Sequence, residues 1–392
     1  MRDPLFSRIF SGALVFFCCI AVLPGNAWAE NAPSPRRIVE FMEIVGNPGS
    51  VANPASNETP QVDPLAEVIS DDKKIIESVI KAYRAGNFAE IEAVYSEFAK
   101  DNARFKNGNL KLDAFYENLE VALEGDGKDN GIWEIESKKV EQWLKAYPKS
   151  RAGLTIRAFV AYKYGEMLLR VAQTPPKKTR PNGEPEVDNT AAFMALGGDA
   201  YLGQATKYLK EMKKSGNHDF ELYRVMIGIA ELQKWGRDDF EALVNQGLSL
   251  FPQSERLHIY AIRPLAEFWE SSNVSLELER FAAKSVARTE KQQGNIMYAR
   301  AYHAYLMTRG PLKFSSVKYD PVKMQQAFDD YFKQYPLDQF PASWGNAVQA
   351  QFVCLAGDKT KGRELFQKIG EENTYWVSEE LYNRCRTWAA RN

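Results

Sequence analysis

From about Leu65 to the C-terminus, apolar positions recur at the interval of an α-helix turn. Ile75, Ile76, Val79, Ile80 and Tyr83 share one face, and Arg84–Phe88 then turns through Gly86. The following face carries Phe88, Ile91, Val94, Tyr95 and Phe98. Two amphipathic helices joined by so few residues pack antiparallel, and one hairpin cannot cover both apolar stripes. Further pairs must therefore stack on it. The same single-stripe pattern runs through Tyr201–Met212, Phe240–Pro252 and Asp358–Gly370. About fifteen helices follow from the pattern, with turns at Gly216, Gly310 and Gly357 and no run of strand-like alternation. The expected fold class is all-α, an irregular α-solenoid of stacked antiparallel helix pairs spanning 65–392. The Pro-rich stretch 173–189 reads as an exposed loop between two long helices.

An aromatic–proline pair interrupts the pattern three times, at Tyr147-Pro148, Phe251-Pro252 and Tyr335-Pro336. Proline disfavours helical geometry in the residue before it, so each aromatic closes a helix. Ser150 and Ser254, two residues past the proline, are placed to cap the next helix, and Asp338 is the third equivalent. The prolines are 104 and 84 residues apart, which excludes a strict single period.

These joints resemble those of tetratricopeptide-type helix pairs. A second likeness rests on four segments: Arg104–Leu119, Trp143–Gly165, Arg263–Trp269 and Trp344–Gly370. Together they are similar to a bacterial family known as domain of unknown function 4034, over most of residues 70–390. Tyr162-Lys163-Tyr164-Gly165 departs from that pattern, since relatives tend to carry a tryptophan and an Arg-Gly pair there. The resemblance implies a helical repeat and no reaction.

The N-terminus changes the picture of where this protein works. Arg2 and Arg8 form a short positive segment before an apolar run, Ile9–Leu23, and Ala27-Trp28-Ala29 offers small residues to a signal peptidase. About 15 apolar residues are short for a bilayer-spanning helix. The expectation is an exported protein, periplasmic or secreted, with a signal peptide over 1–29 and a mature start at Glu30. The alternative is an uncleaved anchor. Residues 30–64 alternate proline with Asn, Ser and Gly and read as a flexible tether. Loss of Arg2, Asp3 and Arg8 shifts the net charge from −1 to −2. No basic stripe appears, so nucleic acid is not an expected partner, nor is stable membrane insertion after signal cleavage. Cys354 and Cys385 are the cysteines left after cleavage. They sit on two helices with one between them and form either a disulfide, the favoured reading, or two buried thiols.

Chemistry is sparse. His218, His258 and His303 show no ligand spacing, and there is no HExxH, nucleophile elbow, P-loop or dinucleotide glycine pattern. Acidic pairs at Asp71-Asp72, Asp329-Asp330 and Glu371-Glu372 diverge on a helix, and the first reads as a helix N-terminus. No catalytic residue, cofactor or metal is assigned. Most tryptophans read as core filler. Arg157, Tyr162, Lys163 and Tyr164 are the candidate binding face on the inner side of the stack. The expected function is a non-catalytic module for a protein or peptide partner in the envelope. The alternative is an envelope hydrolase using carboxylates from separate helices, held in a cleft.

Overall fold

A computed structural model describes residues 64–105, 110–124, 132–173, 190–216, 219–270, 272–335, 344–369 and 375–391. The leader, most of the tether, the 174–189 loop, His218, Asp338 and Glu371-Glu372 lie outside the described residues. Fifteen helices account for nearly all of the described chain, which contains no strand beyond an isolated antiparallel bridge between Arg104 and Leu110. The protein is all-helical. No described helix is long and apolar enough to cross a membrane.

The first two helices, α1 (Pro64–Ala85) and α2 (Phe88–Phe98), form the hairpin expected around Gly86, whose φ of +69° suits a residue without a Cβ. Helix α1 begins earlier than the Asp71-Asp72 pair suggests. Pro64 takes its first position, where a missing N–H costs nothing, so both aspartates fall inside the helix. Next come α3 (Lys111–Glu124), α4 (Ile132–Ala146), α5 (Arg151–Gln173) and α6 (Thr190–Ser215). The centre holds α7 (Phe220–Leu232), α8 (Arg237–Leu250), α9 (Glu255–Glu270), α10 (Val274–Gln293) and α11 (Ile296–Phe314). Gly310 breaks α11 near its end with φ 75° and ψ 169°, a conformation other residues adopt at a cost. The chain closes with α12 (Pro321–Gln334), α13 (Trp344–Ala356), α14 (Lys359–Ile369) and α15 (Glu379–Ala390).

Each helix packs on the next, and on one side also on the next but one: α5 on α7, α7 on α9, α9 on α11. Burial follows this ladder. Helix α7 is buried on every side from Phe220 to Ala230, which is where a helix apolar all round must sit. One aromatic-rich core runs from Val79 to Phe352, and α13–α15 enclose a second around Ala350, Leu365, Trp376 and Tyr382. The Sγ atoms of Cys354 and Cys385 are bonded across that second core, joining α13 to α15 with α14 between.

The aromatic–proline joints share one construction. The Tyr147 N–H donates to Trp143 C=O (2.8 Å) and that of Phe251 to Gly247 C=O (2.9 Å), so each aromatic completes the last turn. Ser150 Oγ then accepts from the Gly153 N–H (2.8 Å) and Ser254 Oγ from the Leu257 N–H (3.2 Å). Each serine also donates to a carboxylate from the N-terminal helices. Ser150 reaches Glu92 of α2 (2.5 Å), and Ser254 reaches Asp113 of α3 (3.0 Å).

Candidate functional site

Helices α5 and α6 approach closely because glycines face each other. A Cβ on Gly165 would lie 2.9 Å from the Gly198 carbonyl oxygen, and one on Gly198 would lie 2.7 Å from Leu169. This contact brings Tyr164 and Tyr201 together, ring centroids 4.3 Å apart. About two turns further along, on the same faces, Arg157 lays its guanidinium over the Tyr208 ring at 3.9 Å. Helix α4 forms the third side, and the three line an open cavity of about 220 Å³. Its floor is apolar, from Trp133, Val140, Val160 and Ala161, and its walls are Tyr164, Tyr201 and Tyr208.

The polar groups of this cavity are unevenly engaged. Tyr164 donates to Glu134 (2.5 Å), and that hydrogen bond, helped by burial, pushes its phenol up to about 12. Gln204 donates to the Tyr208 oxygen (2.6 Å), leaving the Tyr208 O–H proton to donate elsewhere. Arg157 Nε is buried and has no hydrogen-bond partner, and its guanidinium pairs with no carboxylate among the described residues. An unpartnered buried N–H costs roughly 1–3 kcal/mol. Glu134, Lys138 and Glu141 stand exposed at the mouth.

The structure divides the four residues singled out in the sequence. Arg157 and Tyr164, seven residues apart and so on one helix face, line the cavity together. Tyr162 points the other way and is buried against Gly228 of α7, where an added Cβ would lie 2.6 Å from its hydroxyl. Lys163 pairs with Glu166 (2.7 Å). The 100° step between consecutive helical residues is the physical reason that neighbours in sequence part company. Tyr201 and Tyr208 complete the cavity from α6. Their spacing in Tyr201–Met212 was visible, but which face they turned to the neighbouring helix was not.

A second polar cluster lies deeper. Asp113, Glu117 and Glu120 form one stripe of α3 laid across α7 and α9. Arg224 pairs with Glu120 and, at 2.5 Å, with Glu221. Arg256 lies 2.5 Å from Glu120 and 3.5 Å from Glu221, close enough to pair with both, without an aligned hydrogen bond to either. The Tyr260 ring stacks under both guanidiniums at 4.8 and 5.0 Å. Burial pushes Glu117 and Glu221 above the usual carboxylate range. It opposes the charge of Glu120 too, but there Arg224 and Arg256 prevail and hold the carboxyl low. Burial, with Glu255 beside it, pushes Asp113 up to about 7. Glu255 itself pairs with Arg104 (3.2 Å) and Arg300. Asp219 caps α7 through the Glu221 N–H and accepts from Tyr95 (2.8 Å) and Tyr116 (2.6 Å).

These carboxylates are packed against their partners rather than facing each other across a cleft. His258 and His303 are likewise interior, and burial lowers each to about 4. His258 bridges Ser285 and the Pro252 carbonyl at 3.0 Å each. Among the described residues no cluster of His, Cys, Asp and Glu is arranged to hold a metal. Compared with family models, curated proteins and solved structures, the chain matches none, so the reading of function rests on this geometry.

Proposed function

We propose that the protein is an exported, non-catalytic binding module of the cell envelope, which engages a protein or peptide partner at the cavity between α4, α5 and α6. The observation that carries this reading is Arg157: a half-buried arginine whose guanidinium stacks on Tyr208 and whose buried Nε is unsatisfied, beside a tyrosine-walled opening. A cation used only for structure is normally paired when buried, as Arg224 and Arg256 are here. Aromatic rings around an arginine are also the composition of binding hot spots. The same proposal includes the tetratricopeptide-like solenoid path and membership of the domain of unknown function 4034 family. Export through a leader at 1–29 and tethering through 30–64 complete it.

The hydrolase reading finds less support in this geometry. A carboxyl that acts as a general acid at neutral pH needs an apolar setting. Glu134 and Glu141, the acids at the cavity, are exposed. Of the acids on α3 and α7, Glu120 and Glu221 pair with Arg224 and Arg256, and Asp113 accepts from the Ser254 hydroxyl and the Arg256 N–H.

A photo-cross-linking residue at Gln204 in the exported protein tests the reading, with one at Leu312 as a distant exposed control. The expected result is an adduct specific to position 204 whose identified protein binds again when both components are pure. Equal labelling at the two positions, or a solitary monomer with no adduct at either, overturns it.

A further inference from the structure

We infer that the α4–α5–α6 cavity takes a single carboxylate carried on an aromatic or apolar body of about one residue's size, with Arg157 as its anion partner. This deepens the binding reading above and rests on it.

Arg157 has no acceptor at its buried Nε. Its flat face is covered by Tyr208, so its remaining donors point outward in the guanidinium plane. A carboxylate matches that edge with two parallel hydrogen bonds, which a point cation could not receive in the same way. The Tyr208 O–H, already accepting from Gln204, adds a further donor on the same side of the cavity. Donors without partners therefore gather at one end, and an acceptor is the group that satisfies them.

Volume sets the size of the ligand body. About 220 Å³ exceeds the roughly 150 Å³ that encloses a benzene molecule and falls short of the roughly 300 Å³ at which drug-sized pockets begin. One ring or one large side chain fits. The floor of Trp133, Val140, Val160 and Ala161 and the paired rings of Tyr164 and Tyr201 suit an apolar or aromatic body.

Charge at the mouth narrows the class again. Glu134 and Glu141 flank the opening, with Lys138 between them in sequence. A ligand with a second negative charge projecting outward meets two carboxylates, which disfavours phosphate esters and dicarboxylates. A monocarboxylate with a neutral or cationic outer end meets no such penalty. Two sources supply this chemistry: a free aromatic acid, or the last residue of a peptide.

The test uses the full mature chain and four probes: 3-phenylpropionate, 2-phenylethylamine, N-acetyl-Ala-Ala-Phe, and that peptide's C-terminal amide. Calorimetry reads affinity. The expected dissociation constant for at least one acid is below about 1 mM, with the amine and the amide weaker by about tenfold or more. Arg157→Gln removes this preference, and Arg157→Lys restores only part of it. A tripeptide tighter than phenylpropionate identifies the peptide terminus as the source, and the reverse identifies a free acid. Should Arg157→Gln fail to fold by circular dichroism, the acid-against-amide comparison on the unmodified chain still decides. Equal binding of acid and amide, preference for the amine, or no binding of either acid overturns the inference. A specific adduct at position 204 together with any of those results sinks this inference alone, leaving the binding reading in place.

Discussion

Arg256→Met should cost about 3 kcal/mol at neutral pH and far less in mild acid. Methionine keeps the apolar stem over Tyr260 and deletes the charge that faces Glu117, Glu120 and Glu221. Breaking a buried ion pair by removing one partner costs roughly 3–5 kcal/mol, because the other charge stays buried. The stranded acids have an escape, which is to bind a proton. For a glutamate of ordinary pKa 4.5, neutralisation at pH 7 costs about 3.4 kcal/mol, at 1.36 kcal/mol per unit. That sets a ceiling, and burial has already raised Glu117 and Glu221, so the real figure falls somewhat below it. At pH 5 the same neutralisation is about 2.7 kcal/mol cheaper, and most of the penalty disappears. Some 300 ordered residues have an unfolding entropy near 0.6 kcal/mol/K, so the expected drop in Tm at pH 7 is about 5 °C. Urea titrations of both proteins at pH 5 and pH 7, followed by far-UV circular dichroism, measure it. A cost under about 1 kcal/mol at pH 7, or the same cost at both pH values, would show that these charges are not buried together as described.

Three further outcomes follow. Asp113 favours its protonated form in the fold, being pushed up to about 7 from 3.8. Its contribution is therefore complete below pH 3.8 and declines as pH rises towards 7. Asp113→Asn lacks that decline, so its cost relative to the parent should shrink between pH 5 and pH 8 in the same urea assay, and a cost that grows would refute the assignment. Reducing the Cys354–Cys385 bond, which closes a loop with a sequence separation of 31, should destabilise the α13–α15 unit by about 3–4 kcal/mol in the chain-entropy model. Hydrogen exchange should show the loss there first, and uniform loosening across the chain would contradict a local role. Gly165→Ala pushes α5 away from the Gly198 carbonyl and should cost about 1–3 kcal/mol while weakening acid binding at the cavity. Unchanged stability would mean that the two helices do not touch there.

Much of the fold could be read from the chain because its determinants are local. Glycines with positive φ mark turns at 86, 216 and 357, and serines two residues past Pro148 and Pro252 start the next helices. The α3 stripe could not be read this way. Asp113, Glu117 and Glu120 repeat at helical spacing, the usual mark of a solvated face, and only partners more than a hundred residues later cover them. One available signal was the segment Phe220–Leu232, apolar on every side yet carrying Glu221 and Arg224, which demands that both charges find buried partners. For the cavity, Arg157 and Tyr164 could be found from sequence because they share a helix face. Tyr201 and Tyr208 could not, since their role depends on which glycines bring α6 against α5.

Glu92 and Asp113 each grip the serine at a joint formed much further along the chain. Proteins assembled from like units commonly lengthen or shorten by gaining or losing whole units, because each touches only its neighbours. Here those clasps span Glu92 to Ser150 and Asp113 to Ser254, so excising any unit inside them pulls a carboxylate off its hydroxyl. Changes of length between residues 92 and 254 should therefore be poorly tolerated, as should changes between 354 and 385, where the Cys354–Cys385 bond closes the chain on itself.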